Sequence, residues 1–133
     1  MTEAVIDNSA LIELFTGKAP HRSLRWWAVH RPLAAPEVID LEAAQTLRGL
    51  AMSGKLDTTV AERLIGKVIA SPIERVQHRA LLSRVWELRA NATAYDAAYL
   101  ALAERLDVPL LTCDTKLDEV NGHRATVVCF ERS

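Results

Sequence analysis

The chain has 133 residues, half of them apolar and a quarter charged, with five glycines and five prolines, a composition that excludes a disordered or collagen-like chain and predicts one packed domain over residues 1–133. Sixteen basic against seventeen acidic residues leave a formal charge of −1, so the basic footprint of most dedicated nucleic-acid-binding domains is absent and a polyanion must be met by a local patch or by bound cations. No apolar run approaches the roughly 20 residues of a membrane-spanning helix, and the start lacks the pattern of a signal peptide, so a cytoplasmic protein away from membranes is expected.

Ala4-Val5-Ile6 is a short apolar run that ends at Asp7. Asn8-Ser9 follow as good N-cap residues, then a helical stretch to Phe15 before Gly17, so the segment reads as strand, tight turn, helix. His21 to His30 is a second amphipathic stretch closed by Arg31-Pro32, and Leu33-Ala34-Ala35 is a second strand. Pro36 suits a first helical turn, and Glu37 to Met52 keeps Ile39, Ala43, Leu47 and Leu50 on one stripe until Ser53-Gly54. Asp57 or Thr59 caps the next helix, which runs to about Ile69, and Ser71-Pro72 breaks it. Ile73 to Val76 is a candidate third strand, Arg79 to Arg89 returns to helical periodicity, and Thr93 to Leu106 carries the strongest helical pattern. Val108 to Thr112 reads as a strand reaching Cys113-Asp114, Thr115 to Val120 as a brief helix, and Ala125 to Phe130 as a last strand. Strands alternating with helices at this spacing predict an α/β fold, a parallel sheet covered on both faces, with ligands outside the carboxyl ends of the strands.

Two acids occupy equivalent places in this scheme, Asp7 at the end of the first strand and Asp114 just beyond the Leu110-Leu111 strand. Two more, Glu42 and Asp96, lie near helix starts that belong at the same rim. Taken singly, each is explained by capping or by the helix dipole. Together, four carboxylates at one rim repel one another and stay ionised at neutral pH only with cations between them, and oxygen-only ligands select Mg²⁺ or Mn²⁺ over zinc. Such ions typically act on phosphates. Ser9 and Thr112 are candidate hydroxyl partners at the rim, although a Ser after a strand is most often a plain N-cap. Trp26, Trp27 and Trp86 read as core or dimer-contact aromatics before base-stacking ones. Arg75, Arg79, Arg84 and Arg89 are candidate phosphate contacts, which a solvated helix face explains about as well. The four His residues lack a paired nucleophile, and Cys113 and Cys129, without metal-ligand spacing, read as reduced core residues.

The motifs Val5-Ile6-Asp7-Asn8-Ser9-Ala10-Leu11, Pro36-Glu37-Val38-Ile39-Asp40-Leu41-Glu42, Thr93-Ala94-Tyr95-Asp96 with the apolar helix behind it, and Leu111-Thr112-Cys113-Asp114, in that order, make the chain similar to the PIN-domain ribonucleases, specifically the VapC toxins of bacterial and archaeal toxin–antitoxin pairs. The resemblance covers nearly the whole chain. It implies a three-layer α/β/α sandwich with a mostly parallel sheet and a Mg²⁺- or Mn²⁺-dependent endoribonuclease. Asp7, Glu42, Asp96 and Asp114 would hold the metal and activate water against RNA, with Ser9 and Thr112 at auxiliary polar positions. It further implies a cognate antitoxin and a homodimer. Asp40 is expected on a different helix face from Glu42, and Asp118 is expected to be a solvated helix residue. Two other classes remain open. A phosphoacceptor receiver domain shares the length and the parallel sheet, but here Asp7 has no acidic neighbour and no Asp ends the third strand. A catalytically silent PIN-like module would only bind a partner.

Overall fold

A computed structural model describes residues 1–133. Its five short strands are β1 (Ala4–Ile6), β2 (Leu33–Pro36), β3 (Glu74–Val76), β4 (Leu110–Thr112) and β5 (Val127–Cys129). They form one sheet in the order β3-β2-β1-β4-β5 with every pairing parallel. Seven helices connect them: α1 (Asn8–Thr16), α2 (Arg22–His30), α3 (Ile39–Met52), α4 (Thr58–Ala70), α5 (Leu82–Glu87), α6 (Ala94–Leu106) and α7 (Thr115–Asp118), with a 3-10 turn over Arg79–Leu81 ahead of α5. No helix is long and apolar enough to cross a membrane.

The three central strands contain no exposed residue, so both faces of the sheet are covered, as an all-parallel sheet requires. Right-handed crossovers explain how: connections from β1 through β2 to β3 step one way along the sheet, and those from β3 to β4 step back, placing the two sets of helices on opposite faces. Accordingly α1 packs on α2 and α3, and α3 on α4, while α5 packs on α6 and α6 lies against β1, β2 and β4. α6 buries every residue from Ala97 to Ala103. Its alanines let the helix approach the sheet closely, and Tyr99, Leu100 and Leu102 fill the core with Ile6, Leu110 and Leu111.

The direction of the chain reverses between β1 and β4, and that is where a doubly wound sheet opens a crevice at its carboxyl edge. The order also differs from the 2-1-3-4-5 arrangement of receiver-type sheets, and β3 is followed by Gln77, not by an acid. The receiver alternative therefore fails on topology as well as on residues.

Some local expectations are corrected and others are met. The cap of α1 is Asp7, whose side chain accepts from the Ala10 N–H, and Asn8 and Ser9 are already helical. Pro36 is the last residue of β2, paired in register with Val76, and α3 starts only at Ile39. Proline suits that place because its fixed φ tolerates extended geometry and its missing N–H is harmless at a strand end. Asp57, not Thr59, caps α4. Of the core or dimer-contact reading of the tryptophans, the core part holds in part for Trp27 alone, and exposed Trp26 and Trp86 keep only the contact part. Cys113 is buried and Cys129 half-buried, both as free thiols.

Candidate active site

Four helices begin at the carboxyl edge of the sheet, and each brings one acid with it. Asp7 is the N-cap of α1 and Asp114 the N-cap of α7; Glu42 and Asp96 sit in the first turns of α3 and α6. A helix N-terminus carries partial positive charge, which favours a carboxylate there. All four line one cavity of about 430 Å³, together with Ser9, Thr46 and Tyr99. Capping accounts for part of this: Asp7 Oδ1 accepts from the Ala10 N–H at 2.9 Å and Asp114 Oδ1 from the Lys116 N–H at 2.9 Å. It does not account for Asp96, because α6 is capped by Thr93, nor for Glu42.

Asp7 is the most constrained of the four. It is 5 % exposed, and besides the Ala10 N–H it accepts from the Ser9 hydroxyl at 2.7 Å and from the Thr112 hydroxyl at 2.5 Å. Ser9 in turn accepts from the Cys113 N–H and Thr112 from the Asp114 N–H, each at 2.9 Å. Both hydroxyls therefore tie the end of β1 to the end of β4, and the reading of Ser9 as a plain cap is replaced by that of a brace. Burial pushes the Asp7 carboxyl up to about 6, against the pull of these hydrogen bonds, and the Asp114 charge adds to the rise.

Glu42 accepts from the Tyr99 hydroxyl at 2.5 Å. Its carboxyl is raised by burial, lowered by that hydrogen bond and raised again by Asp96. Asp96 is raised by burial and by Asp114, with Lys116 pulling the other way, and neither of its oxygens accepts a hydrogen bond from the protein. In Asp7, Glu42 and Asp96, ionisation is thus opposed by desolvation and by a neighbouring carboxylate.

A hard divalent ion suits this donor set. The donors are all oxygens, and Asn8 adds another: its Nδ2 donates to Thr46 Oγ1 at 3.0 Å, while its Oδ1 is buried without a partner. No three of the acids are yet close enough to share an ion, so ligation requires their side chains to draw inward. Asp96, whose carboxylate no hydrogen bond holds, is able to do so, and the braced Asp7 would be the fixed point.

Other sequence candidates lie elsewhere. Asp40 pairs with Arg75 at 3.1 Å, away from the cavity, as expected from its helix face. Asp118 is exposed. None of the four arginines singled out from the sequence lines the cavity: Arg75 is spent on Asp40 and on backbone carbonyls of Val68, Ser71 and Ile73, Arg84 on Glu104, and Arg89 stacks over the Trp86 ring. The arginine that does line it is Arg132, and a fifth acid, Glu13, lines it too. Neither carried a sequence signal, since one follows the last strand and the other sits in mid-helix.

Comparison with known proteins agrees with this architecture. Residues 4–123 match the PIN domain family. Ribonuclease VapC12 of Mycobacterium tuberculosis is 33 % identical over 127 residues, covering 92 % of this chain and 95 % of that protein. Among solved structures, PAE2754 from Pyrobaculum aerophilum superposes with a TM-score of 0.67 at 28 % identity, covering 87 % of this chain and 82 % of that one. A chain of a toxin–antitoxin complex from Klebsiella pneumoniae, at 21 % identity, shares the fold with a TM-score of 0.62, covering 88 % of this chain and 91 % of its own.

Proposed function

Since the chain belongs to the PIN domain family, we propose that it is an endoribonuclease toxin of a toxin–antitoxin pair, dependent on Mg²⁺ or Mn²⁺, with Asp7, Glu42, Asp96 and Asp114 as the metal-holding acids. The observation that carries this reading is the convergence of four carboxylates, from four different elements, on one cavity at the switch point of the sheet. Its likeness to a curated ribonuclease over nearly the full length of both chains supports it.

When bound, a divalent ion at such a site polarises a phosphoryl oxygen, lowers the pKa of a water and supports the leaving oxygen. The chain's own residues supply the frame. Ser9 and Thr112 lock the Asp7 carboxylate on both oxygens. Tyr99, kept neutral by burial and by the Glu42 charge, holds Glu42 in place. Asp96, free of internal hydrogen bonds, remains available to ligate. The N-termini of α1, α3, α6 and α7 all face the cavity and favour the anionic groups gathered there.

A cognate antitoxin as regulator and a homodimer as the working assembly belong to the same proposal. Leu41 and Tyr95 are 74 % and 58 % exposed on the flank of the cavity, apolar surface that association would cover.

The test is cleavage of RNA by purified protein with and without divalent ions. Activity is expected with Mg²⁺ or Mn²⁺, abolished by chelator and by Asp96→Asn, a change that breaks no internal hydrogen bond and does not lower the melting temperature of the metal-free protein. Cleavage that survives both chelation and Asp96→Asn refutes the site. Mn²⁺ binding without any cleavage identifies a silent module instead.

A further inference from the structure

Five acids line the cavity, Asp7, Glu13, Glu42, Asp96 and Asp114, and a single basic residue, Arg132, lines it with them. Despite that company Arg132 forms no ion pair. Its one hydrogen bond runs from Nε to the carbonyl of Cys113, the residue before Asp114, at 3.3 Å. The two terminal nitrogens of the guanidinium are left without a protein acceptor, at the mouth of an acidic cavity.

The segment carrying Arg132 is anchored on both sides. Before it, Phe130 is buried, donates its N–H to the Thr112 carbonyl at 2.8 Å and packs its ring against His21. After it, Ser133 donates both its N–H and its hydroxyl to Glu13 Oε2, at 2.8 and 2.6 Å, and its hydroxyl accepts from the Ala19 N–H at 3.0 Å. Glu13 is 6 % exposed and is consumed by this clip, which separates it in role from the four acids of the proposed metal site. The clip has a built seat: a Cβ at Gly17 would fall 2.6 Å from the Glu13 carboxyl.

We propose that Arg132 is a phosphate-binding residue of the active site, gripping the RNA backbone next to the bond to be cut, and that the Glu13–Ser133 clip positions it. The proposal rests on the nuclease reading for the identity of the polyanion. A phosphodiester entering a cavity of carboxylates meets repulsion that bound cations offset only in part. A guanidinium fixed at one nitrogen and free at its fork offers two parallel donors to a phosphate, and with a net charge near neutral the chain has no general basic surface to do this instead.

The experiment compares wild type, Arg132→Ala, Arg132→Lys and Ser133→Ala in two measurements. In Mg²⁺-supported RNA cleavage, Arg132→Ala is expected to raise KM roughly tenfold or more with a kcat change of about threefold at most, Arg132→Lys to recover part of the loss, and Ser133→Ala to raise KM by a smaller factor. The second measurement is binding of an RNA oligonucleotide in Mg²⁺ at several salt concentrations, each protein also carrying Asp96→Asn so that nothing is cut, in which Arg132→Ala should weaken affinity and flatten the salt slope by about one while Arg132→Lys keeps the slope. Active enzyme with unchanged KM and slope in Arg132→Ala overturns the assignment and leaves the nuclease standing. If the wild type cleaves nothing yet the oligonucleotide-binding differences appear, the nuclease reading fails and the phosphate contact stands. KM of Ser133→Ala equal to wild type overturns the positioning role of the clip.

Discussion

One carboxylate, Asp7, both holds the fold together and is spent against it. It caps α1 and braces β1 to β4 through Ser9 and Thr112, yet burial raises its pKa to about 6, so at neutral pH the protein carries a buried charge that its three hydrogen bonds offset only in part. Alanine at this position confuses these effects by removing the cap as well. Asparagine keeps the cap through Oδ1, since Asn and Asp serve equally well there, and discards the charge; the Thr112 hydroxyl, which donates to Asp7 in the wild type, has only to turn toward Ser9, 3.2 Å away, to accept from the new amide. Asp7→Asn is therefore expected to abolish cleavage and, in metal-free buffer at pH 7.5, to melt at the wild-type temperature or a few degrees above it. A melting temperature well below wild type would show that the charge itself is structural. At this scale the four acids were legible because each directly follows a strand or opens a helix, places where the fold class itself directs attention. Tyr99 as the partner of Glu42, and Arg132 and Glu13, were not: their contacts span 57, 19 and 120 residues and depend on which helix lies over which strand, a matter local pattern does not encode.

The order and type of the elements were legible because their signals are local: apolar runs of three or four residues, caps, and proline or glycine at the breaks. Boundaries shifted where two local preferences competed. Pro36 satisfies the start of a helix and the end of a strand equally, and pairing with β3 decided for the strand. Helical spacing of the tryptophans marks a face without saying what covers it: Trp27 packs partly into the interior, while Trp26 lies under His30 and Arg31 at the surface. α6 shows how an element tunes the site. Its N-cap Thr93 accepts from the Asp96 N–H at 3.2 Å, so the cap sits directly under the acid it presents. Removing it in Thr93→Ala should cost about 1 kcal/mol of stability, read by denaturant unfolding, and should lower cleavage by more than that loss explains, because the first turn holding Asp96 frays. Activity unchanged in a variant destabilised by that amount would separate the cap from the site.

Across the whole molecule, a near-neutral chain gathers four of its seventeen acids at one edge, where the sheet topology and four helix N-termini bring them together. The raised carboxyls set the sign of the resulting pH dependence. A folded-state pKa above the unfolded value means the folded protein binds protons more readily, so stability is highest where these groups are protonated and falls as pH rises through the folded values. For Asp7 that window runs from its ordinary 3.8 to about 6, with a ceiling of about 3 kcal/mol at one pKa unit per 1.36 kcal/mol; Glu42 and Asp96 act in the same direction. Glu104, lowered by Arg84, has the opposite sign and matters only at more acid pH. A divalent ion held by the ionised cluster, as proposed, would stabilise the fold by mass action, in competition with protons. Metal-free protein is thus expected to melt lower at pH 7.5 than at pH 5.5, and the increment in melting temperature from millimolar Mn²⁺ to grow over the same range. Asp7→Asn should remove much of both effects. An increment as large at pH 5.5 as at pH 7.5, or one that persists undiminished in Asp7→Asn, would place the ion away from these carboxylates, and with it the chemistry.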